Sequence, residues 1–400
     1  MHIGVFISGA LPAVGGGYTF EWDVLRAFVA AAAKRSDHFT LLCRGRATYE
    51  STVALGLPSN CQAEYVPRRS YWGFGVNVLT GTVPLSRRYV GRWGTVSRIV
   101  RRRQIELLWY VAGGGWEVLD VPYIATVWDV QHRTHPWLPE ASSDGEWETR
   151  EYGLRIFLQR ATRIVTGTEI GAAELGFYYQ IPRERILLLP HPTPGFALTP
   201  DACGGVNVRD KFRLNADYFI YPAQFWPHKS HVILLHALVE LRRTYNYRPI
   251  MVFSGSDQGN RTFVLEQAET LGVADQVVIT DFVPVSDLVS LYRGASGLVY
   301  VSMSGPENLP PLEAFALNVP VIASDIAGAE EQLGDAALRV PPCNPSEIAR
   351  EIYRLKSDDA LRQRLVIAGR QRAEAWTARE FVSGMFTFFD EFAPIRRCWR

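Results

Sequence analysis

The sequence lacks the features of disulfide-stapled, membrane-spanning and nucleic-acid-binding proteins. Its 400 residues include only five cysteines, scattered and never spaced as Cys-x-x-Cys, which predicts reduced thiols rather than disulfides or a zinc site. No run of about 18 apolar residues occurs, so no membrane-spanning helix is predicted. The formal net charge of +1 at pH 7 is too small for a dedicated nucleic-acid-binding protein. A strand-like segment follows Met1 at once, with no signal-peptide pattern, so we expect a cytoplasmic protein.

Apolar residues are abundant, at 47% of the chain against 21% charged, and suffice for two domains of about 200 residues each. Short aliphatic and β-branched runs alternate with helical patterns, which is typical of βαβ units and parallel sheets. The fold class is therefore α/β, with doubly wound parallel sheets. Strands are predicted at residues 3–7, 39–42, 106–111, 123–127, 163–166, 186–189, 219–222, 250–254, 277–280, 297–301, 321–324 and 337–340.

The boundary between the two domains is predicted from a proline cluster. Three prolines lie between residues 190 and 194, a composition that favours an extended hinge. We therefore expect an N-terminal Rossmann-like domain at 1–193 and a C-terminal Rossmann-like domain at 194–376. The last segment, 377–400, reads as a helix that crosses back to the first domain.

The strongest local pattern is a strand, loop, helix and second strand over residues 298–324. Pro310 or Pro311 suits the first helical turn, and Asn318 suits the left-handed residue that ends the helix. The exposed N–H groups and dipole of the helix N-terminus favour a bound anion such as a diphosphate. Glu313 is expected in the first turn, where its carboxylate could accept hydrogen bonds from ribose hydroxyls. Spacing alone leaves open that Glu313 only complements the helix dipole.

These residues carry a resemblance to a known family. Residues 305–314, Gly-Pro-Glu-Asn-Leu-Pro-Pro-Leu-Glu-Ala, followed by Pro-Val-Ile-Ala-Ser at 320–324, resemble the signature of retaining GT-B glycosyltransferases of family GT4, glycosyl transferases group 1. Residues 330–337 continue the pattern, and 221–231 resemble the phosphate-binding segment of that family. The resemblance implies two Rossmann-like domains across a cleft, the first for the acceptor and the second for a nucleotide sugar. Members of this kind build bacterial surface polysaccharides.

Two positions depart from the family pattern. The family places a glutamate eight residues before Glu313, and here that position is Gly305. Glu307 could take over part of the donor-sugar contact. Gln224 stands where the family often has arginine, which leaves Lys229 as the principal cation on the diphosphate, where it would neutralise the leaving group. The alternative for Lys229 is a solvated lysine at a helix start.

Further donor contacts follow from the resemblance. Gly16 and Gly17 would lie in a loop over the donor phosphates, although a flexible strand-to-helix turn is an alternative. The backbone from Gly305 through Asn308 to Leu309 would contact the donor. Backbone groups around three other positions, each following a predicted strand, would hold the base: Ser256, Phe282 and Val283. Asp281 replaces a usual glycine there, so the base is left open.

The strand end after residue 127 carries the polar residues Asp129 and His132, where related enzymes often read His-Asp-Leu. His132 could hold an acceptor or sugar hydroxyl, or it could be a structural imidazole. Residues 113–116 could line the acceptor side. The candidate catalytic residues are Lys229, Glu313, Glu307, Asp129 and His132. The candidate donor-binding residues are Gly16, Gly17, Gln224, Lys229, Ser256, Phe282, Val283, Gly305, Asn308, Leu309 and Glu313.

No Asp-x-Asp pair occurs in the sequence, so we expect no metal and no cofactor beyond the nucleotide diphosphate sugar itself. From Arg68 to Arg103 there are nine arginines and no acidic residue. This stretch could rest on an anionic membrane surface, which would suit a lipid-linked glycan acceptor, or it could be a basic acceptor-side segment. The localisation would then be cytoplasmic with a peripheral contact to the inner face of the membrane.

The function expected from the resemblance is transfer of a hexosyl group, such as glucose or mannose, from a nucleotide diphosphate sugar to a glycan or lipid-linked acceptor, with retention of configuration. Two alternatives stay open. A nucleotide-sugar epimerase shares the two-domain form but needs paired acids and bases beside the sugar. A non-catalytic protein that binds nucleotide sugars or glycans would account for Gly305, where the family has a glutamate.

Overall fold

The computed structural model describes residues 1–11, 15–68, 94–113, 117, 119–199 and 207–399. The chain divides into two compact units. The first comprises Met1–Val130, Gly145–Pro190 and Ala378–Arg400, and the second comprises Gln131–Asp144 and His191–Thr377. The ranges 1–193, 194–376 and 377–400 stay a prediction of how the chain divides into folding domains.

The first unit contains a seven-stranded parallel sheet in the order β3-β2-β1-β4-β5-β6-β7. Its central strands are fully buried, as their apolar sequences predict for a sheet covered on both faces. The strands are β1 His2–Ile7, β2 His38–Arg44, β3 Cys61–Val66, β4 Leu107–Tyr110, β5 Tyr123–Thr126, β6 Arg163–Thr166 and β7 Ile186–Leu188. The sequence analysis missed β3, because this edge strand is only partly buried and carries polar residues instead of an apolar run.

The second unit contains a six-stranded parallel sheet in the order β10-β9-β8-β11-β12-β13. Its strands are β8 Tyr218–Tyr221, β9 Ile250–Phe253, β10 Val277–Ile279, β11 Gly297–Tyr300, β12 Val321–Ser324 and β13 Ala337–Val340. Each of these strands was predicted to within about a residue at either end. The predicted fold class, α/β with two doubly wound parallel sheets, is confirmed.

Helices connect the strands of both sheets. In chain order they are α1 Gly16–Ala32, α2 Arg46–Val53, α3 Thr95–Arg102, α4 Gln131–Thr134, α5 Pro139–Ser142, α6 Glu146–Arg160, α7 Glu169–Tyr179, α8 Gly195–Leu198, α9 Val208–Lys211, α10 His231–Tyr245, α11 Arg261–Thr270, α12 Val285–Gly294, α13 Leu309–Ala316, α14 Ala329–Leu333, α15 Pro345–Ser357, α16 Asp359–Ala375 and α17 Ala378–Arg396. In the described ranges, no helix is both long enough and apolar enough to cross a bilayer.

The last helix completes the core of the first unit. α17 packs along α1 and places its aromatic residues against the first sheet. The ring centroids of Phe386 and Phe28 lie 5.5 Å apart, and those of Phe381 and Trp109 lie 6.4 Å apart. Residues separated by the whole length of the chain therefore share one hydrophobic core.

Candidate functional site

The order of strands in the second sheet identifies where a ligand is expected. Chain order runs outward from β8 to β9 and β10 on one side, and from β11 to β12 and β13 on the other. The direction reverses between β8 and β11, and ligands of open parallel sheets bind beyond the carboxyl ends of the strands at such a reversal. The loops after β8 and β11 carry the predicted phosphate-binding residues.

Lys229 lies at this reversal, at the end of the short 3-10 turn Pro227–Lys229 that follows β8. Its ammonium Nζ donates to Tyr300 Oη at 2.9 Å, to Asn308 Oδ1 at 3.3 Å and to Ser302 Oγ at 3.4 Å. Burial, and next the charge of Glu313, raise the pKa of Tyr300 far above its ordinary value, so its hydroxyl stays neutral. These three contacts to neutral oxygens hold the ammonium in place.

The N-terminus of α13 lies beside the same ammonium. Asn308 is the N-cap residue, and Gln332 holds its backbone, accepting from the N–H at 3.0 Å and donating to the carbonyl at 2.9 Å. Both Pro310 and Pro311 fall within the first turn, which has no N–H at these two positions. The sequence analysis expected several backbone N–H groups to face an anion here. In the first three positions of α13, only Leu309 has an N–H.

Glu313 is placed differently from the prediction. α13 begins at Leu309, so Glu313 is its fifth residue and lies in the second turn, where it does not complement the helix dipole directly. The expectation of a first-turn carboxylate is wrong because the helix starts ahead of both prolines. The Glu313 side chain is buried, and its Oε2 accepts a 2.7 Å hydrogen bond from the hydroxyl of Tyr292 on α12. The predicted helix end at Asn318 is confirmed, with a left-handed φ of 60°.

Glu307 has a partner that the sequence did not indicate. Its two carboxylate oxygens accept from the backbone N–H of His191 at 2.6 Å and face His191 Nδ1 at 2.7 Å. The Glu307 side chain is only 3% exposed. This carboxylate therefore anchors the loop after β11 to the proline-rich segment. A contact of Glu307 with the donor sugar stays a prediction.

Gln224 and Ser256 were predicted separately and are brought together by the fold. Gln224 Nε2 donates to Ser256 Oγ at 3.0 Å, and Gln224 Oε1 accepts from the Trp226 indole at 3.0 Å. Gly255 makes this approach possible, because a Cβ there would lie 2.3 Å from the Ala223 carbonyl oxygen. The loop after β9 thus lies directly against the loop after β8.

The two remaining base-binding candidates follow β10. Phe282 is 56% exposed, whereas Val283 is buried in the core of the second unit. Asp281, which precedes them, has a left-handed φ of 54° and pairs with Arg261 of α11. A left-handed backbone favours glycine, which is the residue that the family resemblance implies at this position. Phe282 is therefore the better placed of the two side chains to meet a ligand.

In the first unit, Gly16 and Gly17, which were predicted to lie in a loop, are the first residues of α1. Gly15 precedes them with a left-handed φ of 77°. They follow β1, and Gly113 follows β4, at the point where the order of the first sheet reverses. Residues 114–116 lie outside the described residues.

Asp129 and His132 fall in different units. Asp129 follows β5 in the first unit, and its charge, after burial, raises the pKa of Glu174 on α7 to about 7. His132 belongs to α4 in the second unit, and its side chain is buried. A buried imidazole fits a structural role, and a contact with sugar hydroxyls stays a prediction.

The basic stretch is described only at its two ends, since residues 69–93 lie outside the described residues. Arg102 and Arg103 both pair with Glu64 on β3, Arg103 at 2.6 Å. On α3 the side chains of Arg98 and Arg101 are exposed. The pairs with Glu64 reduce the positive charge that this segment offers to a membrane.

Several residues around Lys229 were missed by the sequence analysis. Tyr300 and Ser302 lie at the end of a stretch that reads as an ordinary buried strand. Gln332 falls within 330–337, which the family resemblance covers without assigning this residue a role. The positions of Tyr300 and Ser302 at and just beyond the end of β11 could have placed them at the site, because ligands bind beyond the carboxyl ends of neighbouring parallel strands. Tyr292 and His191 gave no such signal, since each contacts the site from a distant segment.

Comparison with known proteins shows which family this chain resembles. Residues 208–372 match the family model described as glycosyl transferases group 1. The chain is 29% identical over 236 residues to a D-inositol 3-phosphate glycosyltransferase of Streptomyces bingchenggensis, covering 56% of this chain and 52% of that protein. It is 28% identical over 231 residues to the O-antigen chain mannosyltransferase B of Escherichia coli, covering 57% of this chain and 60% of that protein. The chain thus spans about half the length of the curated relatives it matches.

Solved structures agree on the fold. A glycosyltransferase from Rickettsia africae superposes with a TM-score of 0.71 and 14% identity, over 98% of each chain. At this identity the similarity concerns the fold alone, which is the GT-B fold expected from the sequence.

Proposed function

We propose that this protein is a retaining glycosyltransferase, because residues 208–372 match the family model of the glycosyl transferases group 1. It transfers a hexosyl group from a nucleotide diphosphate sugar to a glycan or lipid-linked glycan acceptor in surface polysaccharide synthesis. The observation that carries the proposal is the Lys229 ammonium, fixed by three neutral oxygens at the strand-order reversal. The mannosyltransferase among the relatives supports a hexose donor.

The chemistry assigned to this site is stabilisation of a leaving pyrophosphate. Negative charge develops on the pyrophosphate as the bond to the sugar breaks, and a preorganised ammonium stabilises it without reorganisation. The Leu309 amide at the positive end of the α13 dipole adds a second contact. Glu313 holds the ribose, and Phe282 packs against the base.

The proposal includes retention without a covalent enzyme intermediate. The acceptor hydroxyl attacks the face that the pyrophosphate leaves, so no protein nucleophile is required. It also includes activity without a divalent metal, because Lys229 supplies the positive charge that a metal would supply elsewhere. Turnover should therefore persist in excess EDTA, and a requirement for Mg²⁺ or Mn²⁺ would contradict this part.

The experiment that tests the proposal uses radiolabelled UDP-, GDP- and dTDP-hexoses, first in a thermal-shift screen and then in a transfer or slow-hydrolysis assay. Lys229→Ala and Glu313→Ala should each lower turnover by about 10²-fold or more, as removal of one charge-stabilising donor does elsewhere. Glu374→Ala is the matched control, because this exposed carboxylate pairs only with its helix neighbour Arg370 in the contacts seen here. Near-normal turnover in both site variants would refute the assignment.

The same assay separates the alternatives. Interconversion of the donor sugar without release of nucleotide would identify an epimerase. Tight binding of a sugar nucleotide with neither transfer nor hydrolysis would identify a binding protein. This alternative stays open because Gly305 stands where the family pattern has a glutamate.

A peripheral membrane contact is a separate part of the proposal. Arg98 and Arg101 are the exposed arginines of α3 to test, because reversing Arg102 or Arg103 would also break the pairs with Glu64. Charge reversal at Arg98 and Arg101 should reduce flotation with anionic liposomes and leave neutral liposomes unaffected. Unchanged flotation with anionic liposomes would remove the membrane contact.

A further inference from the structure

The segment Gln131–Asp144 follows β5 of the first sheet, yet it belongs to the second unit. Its short helix α5 carries Glu140, whose side chain is only 6% exposed. Glu140 Oε1 accepts from the backbone N–H of His228 at 3.0 Å and also contacts His228 Nδ1. Because a carboxylate only accepts, His228 Nδ1 carries the hydrogen in this contact. One carboxylate oxygen thus receives two hydrogen bonds from one residue.

His228 immediately precedes Lys229 in the 3-10 turn after β8. Its carbonyl accepts from the backbone N–H of Met303 at 2.8 Å, in the loop after β11. His228 therefore joins three segments: α5 through its side chain and N–H, the loop after β11 through its carbonyl, and Lys229 through the peptide bond. Lys229 in turn donates to Ser302, next to Met303.

The charges of the pair favour this arrangement. Burial alone would raise the pKa of the Glu140 carboxyl, but hydrogen bonds from His228 more than offset it, and the pKa is lowered. A buried carboxylate held in its charged form by two donors of one residue fixes that residue closely. Both hydrogen bonds that the Glu140 carboxylate accepts from His228 therefore hold the turn that carries Lys229.

We propose that Glu140 and His228 are positioning residues, which hold the Lys229 ammonium where the donor pyrophosphate binds. The inference rests on the proposed function, because it names the device that orients the phosphate-binding lysine. Glu140 acts through His228 and needs no contact with the substrate. A segment that leaves the first sheet thus controls the geometry of the cation in the second unit.

The test measures the affinity of the full chain for UDP and GDP, and for uridine and guanosine, by calorimetry. Glu140→Ala should weaken diphosphate binding about tenfold, the scale of one hydrogen bond to a charged group, and leave nucleoside binding unchanged. A structural defect would weaken both. Glu140→Gln keeps an oxygen acceptor and should restore most of the affinity, and Glu374→Ala should match the unsubstituted protein.

A double-mutant cycle with Lys229→Ala decides whether Glu140 acts through the lysine. In the Lys229→Ala background, Glu140→Ala should change diphosphate affinity by less than about twofold, because the group that it positions is gone. Equal losses in both backgrounds, or no loss from Glu140→Ala alone, would overturn the inference while leaving the proposed function standing. No loss from Lys229→Ala itself would overturn the proposed function and this inference together. If Glu140→Ala does not fold, His228→Ala replaces it with the same expected loss, and unchanged affinity there overturns the inference.

Discussion

The hydroxyl of Tyr292 is the group that we expect to matter most for the buried carboxylate of Glu313. Tyr292→Phe removes that hydroxyl and leaves the ring in place. Both side chains are buried, and the hydroxyl lies 2.7 Å from Glu313 Oε2. A hydrogen bond to a charged group contributes about 1.5–3 kcal/mol, so we expect a loss of about 2 kcal/mol in local stability.

Tyr218→Phe is the matched control for this substitution. Its buried hydroxyl donates at 2.8 Å to the carbonyl of Leu291, which lies on the same helix α12 but is uncharged. A hydrogen bond between neutral groups contributes about 1 kcal/mol. The two variants therefore remove the same atom beside the same helix. Their main difference is that the acceptor of Tyr292 is charged, although its hydroxyl also lies 3.4 Å from the Pro310 carbonyl oxygen.

Hydrogen exchange followed by mass spectrometry suits this comparison, because a protein with two units need not unfold in one step. In peptides covering α12 and α13, the expected loss for Tyr292→Phe corresponds to about 30-fold faster exchange. The control should give about fivefold. Tyr292→Phe should also weaken nucleoside binding, because Glu313 is assigned to the ribose.

Equal exchange in the two phenylalanine variants would show that the charge on the Glu313 carboxylate contributes nothing. Exchange within about threefold of the unsubstituted protein would refute the estimate itself. Faster exchange with unchanged nucleoside affinity would keep the hydrogen bond but separate Glu313 from ribose binding.

Three other substitutions test single features. The pKa of Glu174 is raised to about 7 by burial and then by Asp129, so its protonated form favours folding and that stability is lost as the pH rises from about 4.5 to 7. Glu174→Gln should therefore stabilise the protein by about 1–2 kcal/mol at pH 8, after allowance for the partial exposure of Glu174, and hardly at pH 4.5. Urea unfolding at both pH values measures this difference, and equal stabilisation at both would contradict the raised pKa. Gly255→Ala puts a Cβ 2.3 Å from the Ala223 carbonyl oxygen, so it should lower stability by about 1–3 kcal/mol and weaken nucleoside binding. An unchanged nucleoside affinity in calorimetry would exclude the loop after β9 from the site. Gly305→Glu restores the glutamate of the family pattern at a position with a φ of 109°. The substitution should lower the free energy of unfolding by about 1–3 kcal/mol and leave sugar transfer no faster. Faster transfer would refute the argument from backbone strain.

The sequence predicted the elements whose determinants are local. Apolar runs identified twelve strands, and the helix end at Asn318 followed from the preference of asparagine for the left-handed conformation. The missed strand β3 shows the limit of this reasoning, because a partly buried edge strand needs no apolar run. Glu313 shows another limit: two consecutive prolines fixed the start of the helix only to within a turn, which changed where its carboxylate lies.

Local patterns located Lys229 and Gln224 after β8, but not the contacts that these two side chains make. Lys229 could be identified because a lysine after a strand at a phosphate-binding segment is a local pattern. Glu140, which we propose positions it, contacts His228 from 88 positions away and lies in a segment that leaves its own sheet, which no local pattern encodes. The same holds for Glu307, whose partner His191 lies 116 positions away.

The aromatic core of the first unit has a consequence for synthesis on the ribosome. Phe28 and Trp109 are translated early, but the rings of α17 that cover them are translated only after His191–Thr377. At roughly 5–20 residues per second, translation of His191–Thr377 takes on the order of ten to forty seconds. During that interval the nascent chain exposes one apolar face of its first sheet, which makes it a candidate client for chaperones and leaves the intervening unit free to finish folding first.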